Sequence, residues 1–170
     1  MLYIEKLFGK SHSLKVFKEI SQTGQYAAKE QVTLQTKKGE IQNVRIVGPD
    51  RDYNQIELAR TDARRLGLNP PVRMSGKLDD SPGVVVVGPK GKVVLKKGVI
   101  IANRHIHASP SDVQKRNLRN NQKVSVTVKG PRGLVFHNVK IKVHETYDWR
   151  LHLDTDEANA AGLTGGELLN

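Results

Sequence analysis

Two histidines one residue apart, His105 and His107, stand in the segment Asn103-Arg104-His105-Ile106-His107-Ala108-Ser109-Pro110. In an extended strand, residues two apart project to the same side. This pair would therefore aim two imidazoles at one point, and neutral imidazole nitrogens suit Zn2+ and related divalent ions. A third nitrogen must come from elsewhere, and His152, within Leu151-His152-Leu153, is the candidate. Three protein ligands and one open position would make such an ion catalytic rather than structural. The competing reading of His-x-His is two surface histidines on an edge strand. Glu57 also has two readings: a carboxylate that ligates a second metal, or a satisfied glutamate paired with Arg60. Arg51, just after the Gly48-Pro49 turn, would clamp a phosphate with a bidentate guanidinium; otherwise it is one solvated cation among 28 lysines and arginines. His12, His137 and His144 read as surface or packing residues, with His144 facing solvent from a strand.

Other chemistries lack their residues. With no cysteine in the chain, disulfides, thiolate metal sites and a cysteine nucleophile are excluded. No Gly-x-Ser-x-Gly elbow, Walker-type loop or strand-borne Gly-x-Gly-x-x-Gly occurs. The net charge of +11 attracts polyanions without saying which: nucleic acid, a phosphate-rich cofactor such as coenzyme A, and inorganic phosphate all qualify. Aromatic residues make up only 5%, too few to interleave stacking platforms with the basic groups as single-strand binders do. At 37% hydrophobic and 26% charged, the composition is that of a globular protein. The longest apolar tract, near Val84–Val87, is strand-sized, and the first residues lack the apolar core of a secretion signal. A cytoplasmic or enclosed intracellular location is the expectation, with no membrane.

The elements that must position these residues are mostly short strands. Three hairpins are expected: Val32–Thr36 with Ile41–Val47, Val84–Val87 with Val93–Leu95, and Val124–Val128 with Leu134–Val143. Gly39, Gly88-Pro89-Lys90-Gly91 and Gly130-Pro131-Arg132-Gly133 supply the turns. Helix starts are expected at Ser109-Pro110-Ser111-Asp112, at Thr61-Asp62-Ala63 and at Thr155-Asp156-Glu157. The chain also repeats itself. Val32-Thr33-Leu34, Asn43-Val44-Arg45-Ile46, Ile56-Glu57-Leu58, Thr61-Asp62 and Gly67-Leu68 are matched by Val126-Thr127-Val128, Asn138-Val139-Lys140-Ile141, Leu151-His152-Leu153, Thr155-Asp156 and Gly162-Leu163. Glu57 thus occupies the repeat position of His152. The fold expected is mainly β: two related β-barrel units from an internal repeat, capped by short α-helices. Residues 1–83 would form the first unit, with a linker near 69–83, and residues 84–170 the second, with strands exchanged between them.

Asn103–Pro110, Leu151-His152-Leu153-Asp154-Thr155-Asp156-Glu157-Ala158-Asn159-Ala160 and Gly48-Pro49-Asp50-Arg51 with Gln55–Leu58 and Arg60-Thr61-Asp62 resemble the phosphate propanoyltransferases of propanediol utilisation. Ser21–Ala28 and Pro70–Gly76 fit the same family, and the resemblance spans nearly the whole chain. It implies two β-barrel domains with helical caps and a two-metal site. It implies that His105, His107 and His152 bind one Zn2+, that Glu57 helps to bind a second, and that Arg51 contacts the transferring phosphate. Ser75, Gln22 and Asn159 would belong to the coenzyme A surface. The substrates implied are a short acyl-CoA, propanoyl-CoA above all, and phosphate. The resemblance further implies a homodimer, in many members within a bacterial microcompartment. Family members carry an earlier Asn-Arg-His-x-His-x-Ser motif before a helix resembling Leu2–Gly9. With Met1 inside that helix, two ligands of the second metal, and any N-terminal targeting peptide, would be missing from this chain.

Three readings follow. The first is an enzyme in which bound phosphate attacks the acyl-CoA carbonyl directly, since no thiol or serine elbow offers a covalent acyl carrier. The second is a basic β-barrel protein that binds nucleic acid, with salt-sensitive affinity. The third is a zinc- and CoA-binding homologue without turnover.

Overall fold

In the computed structural model, residues 2–20 and 22–166 are described, so Met1 and Ser21 of the motifs above lie outside them. Twelve strands and four short helices follow one another: α1 (Leu2–Phe8), β1 (Val16–Glu19), β2 (Tyr26–Gln35), β3 (Glu40–Gly48), β4 (Ile56–Glu57), α2 (Arg60–Arg65), β5 (Val72–Arg73), β6 (Val84–Val87), β7 (Lys92–Leu95), β8 (Val99–Ala102), β9 (His105–Ala108), α3 (Pro110–Lys115), β10 (Lys123–Val128), β11 (Leu134–Val143), β12 (Arg150–His152) and α4 (Thr155–Ala161). The mainly-β expectation holds at that level. The strands group into a five-stranded sheet ordered β1-β2-β6-β7 with β3 also on β2, a three-stranded sheet β4-β8-β5, and a four-stranded sheet β10-β11-β9-β12. The chain divides into two compact units, Met1–Ile101 and Ala102–Asn170.

In the first unit β2 alternates strictly, burying Ala28, Glu30, Val32 and Leu34 while Lys29, Gln31 and Gln35 face water. Leu34 and Val32 join Val84, Val86, Val93, Leu95, Val99, Ala63 of α2 and Leu66 at its C-cap in one apolar cluster. Glu30 is the polar intruder in that row. It accepts from the Lys15 backbone N–H at 3.0 Å and meets His12 Nε2 at 2.9 Å. Burial opposes its ionisation, but these bonds leave the carboxyl below its ordinary pKa. In the second unit Ile106, Ala108, Val128, Phe136, Val139, Ile141 and Ala161 form the core.

One local device recurs in both units. In β11, Phe136 pairs with Val126 and Val139 with Val124, so His137 and Asn138 on β11 stand against Ser125 alone on β10. In β3, Ile41 pairs with Leu34 and Val44 with Val32, with the same extra residue. Strict alternation would send Phe136 and Val139 to opposite faces; the bulge returns both to the core. The extra residue needs a left-handed backbone, which asparagine tolerates better than most. Asn43 has φ 60° and Asn138 φ 59°. These pairings equate Val32 with Val124 rather than with Val126, because the β10–β11 hairpin runs one paired rung further and its turn is one residue longer than that of β2–β3.

The helix starts differ in detail from expectation. Ser109 caps α3 as read, accepting from the Asp112 N–H in a reciprocal capping box. At α4 the cap is Asp154, one residue before Thr155, with Glu157 as its reciprocal partner. At α2 the cap position is Ala59, whose side chain offers no acceptor, so Thr61 already lies within the helix. α2, α3 and α4 end alike on a left-handed residue, Gly67 (φ 66°), Asn117 (φ 51°) or Gly162 (φ 70°). The next residue, Leu68, Leu118 or Leu163, donates back five positions, at 2.9 Å in each case.

Candidate metal centre

β9 is the middle strand of the trio that carries the three histidines. β11 runs parallel to it, with Lys140 opposite His105 and Lys142 opposite His107. β12 runs antiparallel on its other side, with His152 opposite His105 and Arg150 opposite His107. Side chains in register share a face. One face therefore carries the apolar row Ile141, Ile106, Leu151 and packs on the core. The other carries two rows, Lys140–His105–His152 and Lys142–His107–Arg150.

The three imidazoles converge on that second face. His105 Nε2 lies 3.0 Å from His107 Nε2. The His105 and His152 rings stack with centroids 5.0 Å apart and planes 4° apart, and His107 lies 4.1 Å from His152. One nitrogen from each ring falls within 4.8 Å of the other two. A tetrahedral ion with Zn–N bonds of about 2.05 Å spaces its ligand nitrogens about 3.3 Å apart, so small ring rotations suffice. His105 Nδ1 lies 2.8 Å from the Asn103 carbonyl. Donation to that carbonyl leaves Nε2 as the free lone pair, the usual outer-shell device of a metal-binding histidine.

Two observations fit these residues to a cation. Among the described residues His152 Nε2 is buried with no hydrogen-bond partner, an arrangement that buried polar atoms rarely tolerate without a ligand. The imidazoles are also held neutral, the form that ligates. Burial pushes His107 down to about 3, with the His152, His105 and Lys142 charges adding to it. Burial likewise pushes His152 down to about 4, and lowers His105 against the raising effect of the Asn103 carbonyl.

Tyr147, from the turn before β12, stacks on His107 at 3.9 Å and closes it from water; His107 is only 1% exposed. On the opposite flank Arg104 joins the Glu157 carboxylate at 2.7 Å and donates to the His137 carbonyl at 2.9 Å, tying β9 to α4 and β11. Neither Tyr147 nor Lys142 was among the candidates read from sequence. Their proximity depends on a parallel pairing and a turn geometry that spacing along the chain does not reveal.

The remaining candidates fall into separate groups. Glu57, Ser75 and Gln55 come together in the first unit. The Gln55 amide nitrogen lies 2.6 Å from Glu57 Oε1 and 2.8 Å from Ser75 Oγ, while its oxygen accepts from the Gly76 N–H at 2.7 Å. Arg51 is exposed and donates to Gln25 Oε1 at 2.6 Å. The Gln22 carbonyl accepts from the Gln25 N–H at 2.9 Å. Asn159 is exposed on α4 in the second unit. His144 is exposed as expected, although it lies just past the end of β11 and not within a strand; His137 meets Ser125 Oγ at 2.8 Å, and His12 stacks on Phe8. Among the described residues no helix is long and apolar enough to cross a membrane.

Comparison with known proteins gives one consistent result. The family model described as phosphate propanoyltransferase matches residues 2–164. The chain is 50% identical over 167 residues to the phosphate propanoyltransferase of Thermotoga maritima, covering 98% of this chain and 80% of that protein. It is 47% identical over 166 residues to that of Rhodobacter capsulatus, covering 98% and 77%. It is also 47% identical over 159 residues to that of Salmonella typhimurium, covering 93% and 75%.

Proposed function

Since the chain belongs to the phosphate propanoyltransferase family, we propose that it is an acyltransferase moving a short acyl group, propanoyl first, between coenzyme A and phosphate. The observation that carries the chemistry is the neutral His105–His107–His152 cluster, with His107 buried, its two neighbours partly buried and the His152 Nε2 orphaned. His105, His107 and His152 would hold a divalent cation, Zn2+ by donor type. Such an ion supplies Lewis-acid stabilisation of negative oxygen when bound.

This chain's own residues do the rest. The Asn103 carbonyl and the Tyr147 ring hold His105 and His107 in position and keep water from the imidazoles. Arg51 takes a phosphate oxygen through its guanidinium fork, exchanging the Gln25 contact for the anion. A phosphate oxygen attacks the thioester carbonyl, the C–S bond breaks, and the CoA thiolate leaves with the electron pair. Nothing in this route requires an acyl-enzyme, in keeping with the absence of cysteine. Ser75, Gln22 and Asn159 are assigned to the coenzyme A surface, and Glu57 to a second cation, with Gln55 orienting both Glu57 and Ser75. The recurring bulge at Asn43 and Asn138 supports a duplication. On that basis we assign two related β-barrel units, divided near residue 83 with strands exchanged between them. A homodimer and residence in a microcompartment complete the reading taken from the family.

The test is phosphate-dependent release of CoA from propanoyl-CoA by the purified, zinc-loaded chain, followed by thiol titration. Release that needs phosphate and stops with a chelator supports the proposal. A fully zinc-loaded chain that frees no thiol overturns it.

A further inference from the structure

The face that holds the three imidazoles has a composition the triad alone does not require. Its two rows contain His105, His107, His152, Lys140, Lys142 and Arg150, and no carboxylate. A cation site normally gathers acids; three further positive side chains around it work against a bare divalent ion and in favour of an anion beside it. Lys142 is the best placed of the three. It is half-buried, opposite His107 in register, with its ammonium 5.5 Å from the centre of the Tyr147 ring that stacks on His107. Among the described residues it enters no ion pair, so its charge is available to an anion. Arg150, opposite His107 on the other side, is exposed.

We propose that Lys142 binds the phosphate substrate on the imidazole face, its ammonium taking one phosphate oxygen as an ion pair beside His107, with Tyr147 fixing the lysine's approach. The ligand chemistry is a tetrahedral oxyanion of double negative charge, for which a compact ammonium serves as a point charge. This rests on the acyltransferase reading above for the identity of the anion as inorganic phosphate. The phosphates of coenzyme A share the same chemistry.

The experiment uses the full chain loaded with zinc, its metal content measured for every variant. Labelled inorganic phosphate is titrated by equilibrium dialysis, with coenzyme A titrated in parallel, and KM is determined for phosphate and for propanoyl-CoA. Lys142→Gln is expected to weaken phosphate binding and raise the phosphate KM by about tenfold, the scale of one lost charge-assisted bond. Its zinc content and propanoyl-CoA KM should stay within about twofold of wild type. Lys142→Arg should recover most of the loss. Lys129→Gln, an exposed second-unit change of equal charge, should have no effect, which separates a local contact from general electrostatics. The proposal is overturned if the zinc-loaded wild type binds no phosphate, or if Lys142→Gln leaves phosphate binding unchanged. It is equally overturned if that variant loses zinc, or weakens coenzyme A in place of phosphate. If phosphate binds through Lys142 but no CoA is released, the acyltransferase reading fails and the binding site stands.

Discussion

Acid should destabilise the metal-free second unit well above the pH at which its carboxylates protonate. An unfolded histidine titrates near 6.5, whereas burial holds folded His107 at about 3 and His152 at about 4. Because the folded values lie below the unfolded one, this stability is complete above about pH 6.5 and is lost as pH falls toward the folded values. Between pH 7 and pH 5 the unfolded state gains proton binding worth about 2 kcal/mol for each of these two imidazoles. The folded state gains almost none, and His105 contributes in the same direction. A loss of about 4 kcal/mol is a large part of the usual 5–15 kcal/mol of a domain. With a urea slope of about 2 kcal/mol/M, the midpoint should fall by about 2 M. Trp149, the single tryptophan, lies in the second unit and reports its unfolding by fluorescence. Chelator-treated protein would be titrated with urea at pH 7, 6 and 5 beside His107→Gln, which removes one of the two contributions. A wild-type midpoint that moves by less than about 0.5 M, or a variant with the same pH loss as wild type, would refute the neutral triad.

Zinc at one hundred times its dissociation constant should raise the stability of the same unit by about 2.7 kcal/mol at pH 7. His152→Ala should abolish that gain, and a zinc response surviving in the variant would place the ion elsewhere. Asn138→Ala should cost about 1 kcal/mol, because alanine resists the left-handed backbone at φ 59°. Asn138→Gly, measured by the same fluorescence titration, should cost less, and the reverse order would remove the bulge from the explanation. Gln55→Leu frees both Glu57 and Ser75 from their common amide. It is expected to lower kcat/KM for propanoyl-CoA by about tenfold at unchanged circular dichroism; unaltered kinetics would detach Glu57 and Ser75 from the reaction.

Family membership was readable in the chain because it rests on local strings, above all Asn103–Pro110 and Leu151–Ala160, whose residue types survive without coordinates. So were the three hairpins, since apolar alternation and Gly-Pro turns act over a few residues. Ser109 was legible as a cap for the same reason. Asp154 displaced Thr155 as the cap of α4 because two adjacent polar residues can each fill that role, and the reciprocal bond to Glu157 favours the one three positions before it.

His105 and His107 belong together by sequence alone, because a strand has a period of two. Their union with His152 was expected from a repeat but made by pairing: β12 lies antiparallel on β9 in the one register that sets His152 opposite His105. Lys142 and Tyr147 could not be foreseen at all. A lysine thirty-five positions after His107 becomes its neighbour only because β11 runs parallel to β9, and parallel strands are set side by side by whatever packs across the connection between them. The residue types that can do chemistry, and their local spacing, are written along the chain. Which of them meet, and which charges are left facing them, is decided by strand register, a property of the packed sheet rather than of any segment of it.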